Sequence, residues 1–333
     1  MGASGSVRHA DHVSRHGLLG AALVCAACAT TPAPVAVERP ASPVILVHGF
    51  SGWHELGAVG AYFNGVRAAL AEDGVTVFDP ALPPYGAVEQ RAPVLARAID
   101  AVLRRTGAAK VHLVAHSQGG IDARYVVDVL GYGDRVASIV TISTPHRGTV
   151  LADVAARLPR FVLDPVFTIF GRQLTAGSAA DLGEPDIQGS LRTLSTASAS
   201  ALDARMRGDA RVRGFSIAGV TADDDDGACA GGAWPPPAEH VAAGSVWPLW
   251  AIIKLATDGP GTNDGMVPTA SMRWGTFLGC VPADHIDEIG LTRSPALDHV
   301  AFYRRIVTGL AVLERTGSDA ALRRVGGTHT ARR

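Results

Sequence analysis

The chain has 333 residues, 47% of them hydrophobic and 18% charged, which is enough apolar material for one large folded domain and excludes disorder as a whole. Its formal net charge is -1 and its basic residues are scattered, so nothing marks it as a nucleic-acid binder.

Arg8 and Arg15 precede an apolar stretch at residues 17–29, GLLGAALVCAACA, so residues 1–28 read as an export signal and residues 29–42 as a Pro- and Ala-rich linker. The stretch is too short to span a bilayer comfortably. Cys28, preceded by Ala26 and Ala27, also fits a lipoprotein signal, although Cys25 stands where such signals usually have Leu. Loss of the leader leaves Cys229 and Cys280 in the folded body. Two cysteines in an exported protein predict one disulfide, whereas two buried thiols are the expectation for a cytosolic chain.

From residue 43, short apolar runs alternate with longer helical patterns, which predicts an α/β fold with a mainly parallel sheet and helices on both faces. Strands are expected at 43–49, 75–78, 110–116, 136–143 and 213–220, with helices at 62–74, 89–106 and 120–130. Residues 149–200, apolar and broken by Pro159 and Pro165, read as a helical lid region or as ordinary core helix. Residues 223–247 look like a surface excursion. A last helix follows His299 within a domain spanning 43–315, and residues 316–333 are expected to form a loose tail.

The most specific motif is KVHLVAHSQGGI at 110–121. A serine at a sharp strand-to-helix turn exposes its hydroxyl as a nucleophile, and the small residues Ala115 and Gly119, two positions either side of Ser117, fit the crowded elbow. A serine-capped helix start is the plain alternative. A hydroxyl needs an imidazole, and the imidazole needs a carboxylate, in the chain order Ser, acid, His for an α/β hydrolase. Asp264, in GTNDGMVP, is the preferred acid, with Asp258 as its rival. His285, in CVPADHIDEIGL, is preferred as base over His299, which with Asp298 resembles a helix cap. Backbone N–H groups for an oxyanion are expected from Gln118, after the serine, and from Phe50, after His48-Gly49.

Taken in order, VILVHGF, the helix before KVHLVAHSQGG, IDARYV, VASIVTISTPHRGT, LRTLSTASASAL, NDGMVP and DHIDEIGL resemble the secreted bacterial triacylglycerol lipases of the Pseudomonas and Burkholderia type. The resemblance runs from about residue 43 to 310 and is weakest between 177 and 262. It implies Ser117 as nucleophile, Asp264 as acid, His285 as base and the amides of Phe50 and Gln118 as oxyanion hole, with no cofactor required for the chemistry. It also implies a structural calcium that braces the histidine loop, with Asp287 as a carboxylate ligand, backbone ligands near Leu291 and Pro295, and no clear counterpart for the second carboxylate. The cysteines depart from the family: Ala270 fills the region where the family has one, and Cys280 lies nearer the histidine. Some relatives need a membrane-bound foldase as folding partner.

The expected activity is hydrolysis of lipid esters at a lipid–water interface through an acyl-enzyme. A short-chain carboxylesterase or polyester depolymerase would use the same triad. A hydrolase-fold protein that binds a ligand without turnover is the reading from another class, and the filled catalytic positions argue against it.

Overall fold

The computed structural model describes residues 37–50, 61–158, 186–221, 227–237, 241–242, 244–256 and 261–328. The expected export signal and most of the linker, the rival acid Asp258, and residues 159–185 of the expected lid lie outside the described residues.

Near-continuous apolar runs form strands buried on both faces, as a parallel sheet covered by helices requires. Strands β1 (Val44–Val47), β2 (Val77–Phe78), β3 (Val111–His116), β4 (Val136–Ile142), β5 (Arg213–Val220) and β6 (Thr276–Pro282) make one sheet in the order β2-β1-β3-β4-β5-β6. Every pairing is parallel.

Helices α1 (Val66–Glu72), α2 (Val88–Thr106), α3 (Gln118–Asp128), α4 (Val150–Ala156), α5 (Ile187–Leu194), α6 (Thr196–Arg205), α7 (Trp247–Ala256), the single turn α8 (Thr269–Met272) and α9 (His299–Thr316) connect and cover it. Because side chains alternate along a strand, Val44 and Leu46 of β1 join one core with α1 and α9, while Ile45 and Val47 join another with α2 and α3. The ends of α2 follow from its sequence. Gln90 Oε1 accepts the Ala87 N–H at the start, and Gly107 takes φ 71° at the end, just past Arg104 and Arg105.

Several boundaries move. The helix expected at 62–74 starts at Val66, because Gly65 in the left-handed region turns the chain into it. The helix expected from Gly120 starts at Gln118, directly after the serine. Helix α7 falls where the sequence suggested no regular structure, and in the expected tail Leu322–Thr328 form a 3-10 turn with Leu322 buried and Leu322 O accepting from Trp234 Nε1. Cys229 and Cys280 are joined in a disulfide that pins residues 227–237 to β6. A cross-link of this span, 51 residues apart, is worth about 4 kcal/mol by loop-closure entropy.

From β1 the chain first pairs β2 on one side, then returns to place β3 on the other. The loops leaving the C-terminal ends of β1 and β3 therefore diverge, and the crevice between them is where open parallel sheets bind ligands.

Candidate active site

Ser117 follows β3 and caps α3 with φ 57° and ψ -133°, a conformation that only surrounding constraint makes a non-glycine residue adopt. Its N–H is tied to Ile142 O (2.9 Å), and its neighbours are small by necessity. A Cβ on Gly119 would run into Val47 O, and one on Gly120 into the Thr144 side chain.

Asp264, His285 and Ser117 form one hydrogen-bonded line. His285 Nε2 lies 3.0 Å from Ser117 Oγ, and His285 Nδ1 lies 2.6 Å from Asp264 Oδ2. The other oxygen of Asp264 accepts from the N–H groups of Met266 (2.9 Å) and Val267 (2.7 Å), which fixes the carboxylate plane. His285 N–H donates to Asp264 O at 2.9 Å, so the two loops are also joined through the backbone. The Asp264 loop is held at the end of β5, where Asn263 bridges to Thr221 and to Pro268. His299 is elsewhere: it opens α9 behind the capping Asp298, and its Nε2–H donates to Asn64 O (2.8 Å).

Gly49 packs against the serine so closely that a Cβ there would sit 2.6 Å from Ser117 Cβ and 2.7 Å from Tyr62 Oη. The buried guanidinium of Arg91 braces this loop. Its Nη2 donates to His48 O (2.7 Å), its Nη1 to Pro83 O (2.7 Å) and its Nε to Asp122 Oδ2 (2.8 Å) on α3. Burial pushes Asp122 up to about 6 against the opposing field of Arg91. Phe50 O accepts from Tyr85 N–H (2.8 Å), and the two rings meet edge to face. Gln118, whose side chain donates to Gly86 O (2.8 Å), offers its own N–H at the first position of α3.

A cavity of about 350 Å³ opens at Ser117 and His285, walled almost wholly by carbon from Phe50, Leu151, Ala155, Leu194, Ile252 and Met266 among others. Helices α4, α5 and α7 form its sides. Leu158, in its wall, is 43% exposed, and Trp247 and Leu255 of α7, which do not line it, are 60% and 83% exposed.

Behind His285 lies a buried polar group that sequence reasoning did not single out: Tyr62, His116, Ser143 and Glu288. His116 stands inside the serine motif and Glu288 three residues after His285, but nothing local signals that they meet. The Asp287 carboxylate accepts from Thr292 Oγ (2.6 Å) and lies beside Asp284, which burial and the charge of Asp287 push up to about 6.

Residues 42–212, half of the chain, match the alpha/beta hydrolase fold family. The chain is 36% identical over 187 residues to a triacylglycerol lipase of Burkholderia plantarii, covering 51% of this chain and 50% of that one. It is 36% identical over 140 residues to a triacylglycerol lipase of Pseudomonas fragi, covering 40% and 47%. The chain thus spans about half the length of these curated relatives. Among solved structures, EstA from Clostridium botulinum superposes with a TM-score of 0.59 at 18% identity over 85% of this chain and 90% of that one. Staphylococcus hyicus lipase gives 0.56 at 17% identity over 88% and 98%. With strand order, elbow and family match in agreement, the chain belongs to the α/β-hydrolase fold family.

Proposed function

We propose that this chain is a serine hydrolase of carboxylic esters that acts on lipid esters, a triacylglycerol lipase in substrate class. The observation that carries the reading is the unbroken line from Asp264 through His285 to Ser117 at the mouth of an apolar groove. Ser117 Oγ attacks the ester carbonyl while His285 Nε2 takes its proton, and Asp264 holds Nδ1–H so that the right nitrogen is free. The oxyanion takes hydrogen bonds from the N–H groups of Phe50 and Gln118. His285 returns the proton to the leaving alcohol, the acyl chain lies along the groove, and water activated by the same imidazole releases the acid. The relatives' names support the lipid-ester class, and so does the carbon lining of the groove.

The reading needs no cofactor for bond making. Calcium would be held by Asp287 with Asp284 beside it, since two close carboxylates, one already pushed up by burial and by the other's charge, are relieved by a divalent cation. The ion would supply charge neutralisation and a brace for the loop that carries His285. The proposal extends to export through residues 1–28, with lipid anchoring at Cys28 and a foldase partner as its finer parts. The mass of the mature N-terminus and the yield of active enzyme with and without a co-expressed foldase test these. Among the described residues no helix is long and apolar enough to cross a membrane.

The deciding experiment is Ser117→Ala with an ester panel from butyrate to palmitate. Hydrolysis is expected to fall by at least about 10³-fold with the circular dichroism unchanged, and retained turnover overturns the reading. Run with EDTA, the wild-type panel is expected to keep its chain-length profile while the melting temperature drops, and an unmoved melting temperature rejects the calcium brace.

A further inference from the structure

We infer that Tyr62, His116, Ser143 and Glu288 form a positioning network that sets the spacing between the oxyanion loop, the nucleophile elbow and the histidine loop. It rests on the triad reading above and concerns residues that touch no substrate. Tyr62 Oη lies 2.7 Å from His116 Nδ1, His116 Nε2 lies 3.1 Å from Glu288 Oε2, Ser143 Oγ donates to Glu288 Oε1 at 2.6 Å, and Gly219 N–H donates to Ser143 Oγ at 2.9 Å. The line thus begins under Gly49, whose missing Cβ leaves room for the Tyr62 hydroxyl, and passes the residue before Ser117. It ends on the residue three after His285, anchored to the C-terminal ends of β4 and β5. The rings of His116 and His285 meet at a tilt of 49° with centroids 4.6 Å apart, so a shift of the first ring moves the second.

Three further features fit a built arrangement. His116, Ser143 and Glu288 are fully buried. Ser143 holds φ 47° outside any glycine, a strained conformation that aims its hydroxyl at Glu288. A Cβ on Gly219 would collide with Glu288 Oε1, so the carboxyl packs onto bare backbone. The Glu288 carboxyl bridges His116 on one side and Ser143 on the other. Oε2 faces His116 Nε2 while Oε1 accepts from Ser143 Oγ. Glutamine keeps the shape and two hydrogen-bonding atoms at those positions, and leucine removes both.

The test uses the full-length protein. Labelling of wild type by a fluorophosphonate, lost in Ser117→Ala, first establishes the nucleophile. Glu288→Leu is then expected to lower kcat about 10- to 100-fold with KM within about twofold, the signature of misplaced groups. Glu288→Gln should recover kcat to within about threefold of wild type, since it keeps a hydrogen-bonding atom at both positions. Tyr62→Phe, which removes one hydroxyl and keeps the ring, repeats the test without opening a cavity and should lower kcat about 10-fold. Unchanged kcat in Tyr62→Phe with labelling intact overturns this inference alone, as does a Glu288→Gln variant as slow as Glu288→Leu. Wild type that takes no label overturns both this and the triad reading.

Discussion

Single atoms decide how this site is spaced. Gly49 is the sharpest case, because its absent Cβ would stand 2.6 Å from Ser117 Cβ, well inside van der Waals contact. Gly49→Ala is therefore expected to push the β1 loop away from the serine and cut kcat at least about 10-fold, while overpacking costs only about 1–3 kcal/mol of stability. Ester kinetics beside a urea melt read the two effects separately, and a variant as active as wild type would mean that the loop yields freely. At this scale much was legible beforehand. Ser117, Asp264 and His285 are the residues that meet, since an elbow, a turn-borne carboxylate and a loop histidine each carry a local signature. Glu288 carries none, because its partner His116 is 172 residues away and a glutamate in a polar loop looks like a solvated one.

The helices around the groove divide between those that sequence pattern reveals and one that it hides. Helix α2 is amphipathic and ends in glycine, so it was readable almost to the residue. Helix α7, WPLWAIIKLA, was missed because its Gly- and Pro-rich approach suggests a loop and its apolar residues lie on more than one face. That composition has a use. Ile252 and Leu249 line the groove, while Leu255 and Trp247 face outward, 83% and 60% exposed. Leu255→Glu with Trp247→Gln is expected to leave hydrolysis of dissolved p-nitrophenyl butyrate within about twofold and to lower the rate on emulsified triacylglycerol about 10-fold, since contact with a lipid surface scales with buried apolar area. Equal losses on both substrates would place α7 in the scaffold instead.

Across the whole molecule the two edges of the sheet do different work. The C-terminal edge brings Ser117, His285 and Asp264 together, whereas at the N-terminal edge His112 is buried with Nδ1 2.8 Å from Ser138 Oγ and Nε2 3.9 Å from the nearest Glu314 oxygen. Burial pushes His112 down to about 4, against about 6.5 for a solvated imidazole. Between those values the unfolded chain binds more protons than the folded one, so stability rises with pH across the window and is lost as pH falls through it. His112→Gln should flatten that slope by up to about 3 kcal/mol in denaturant melts at pH 4 and pH 7, with Asp122 and Asp284 cancelling between the two proteins. An identical slope would show that the ring is solvated in the fold. The arrangement of the strands reaches further still. Since no two neighbours in the sheet are joined by a hairpin, and the serine and its imidazole partner stand 168 positions apart, no fragment made early in synthesis can hold a working centre. On the proposed reading, ester hydrolysis returns in refolding only once the Ser117 and His285 segments have met, trailing the helical signal.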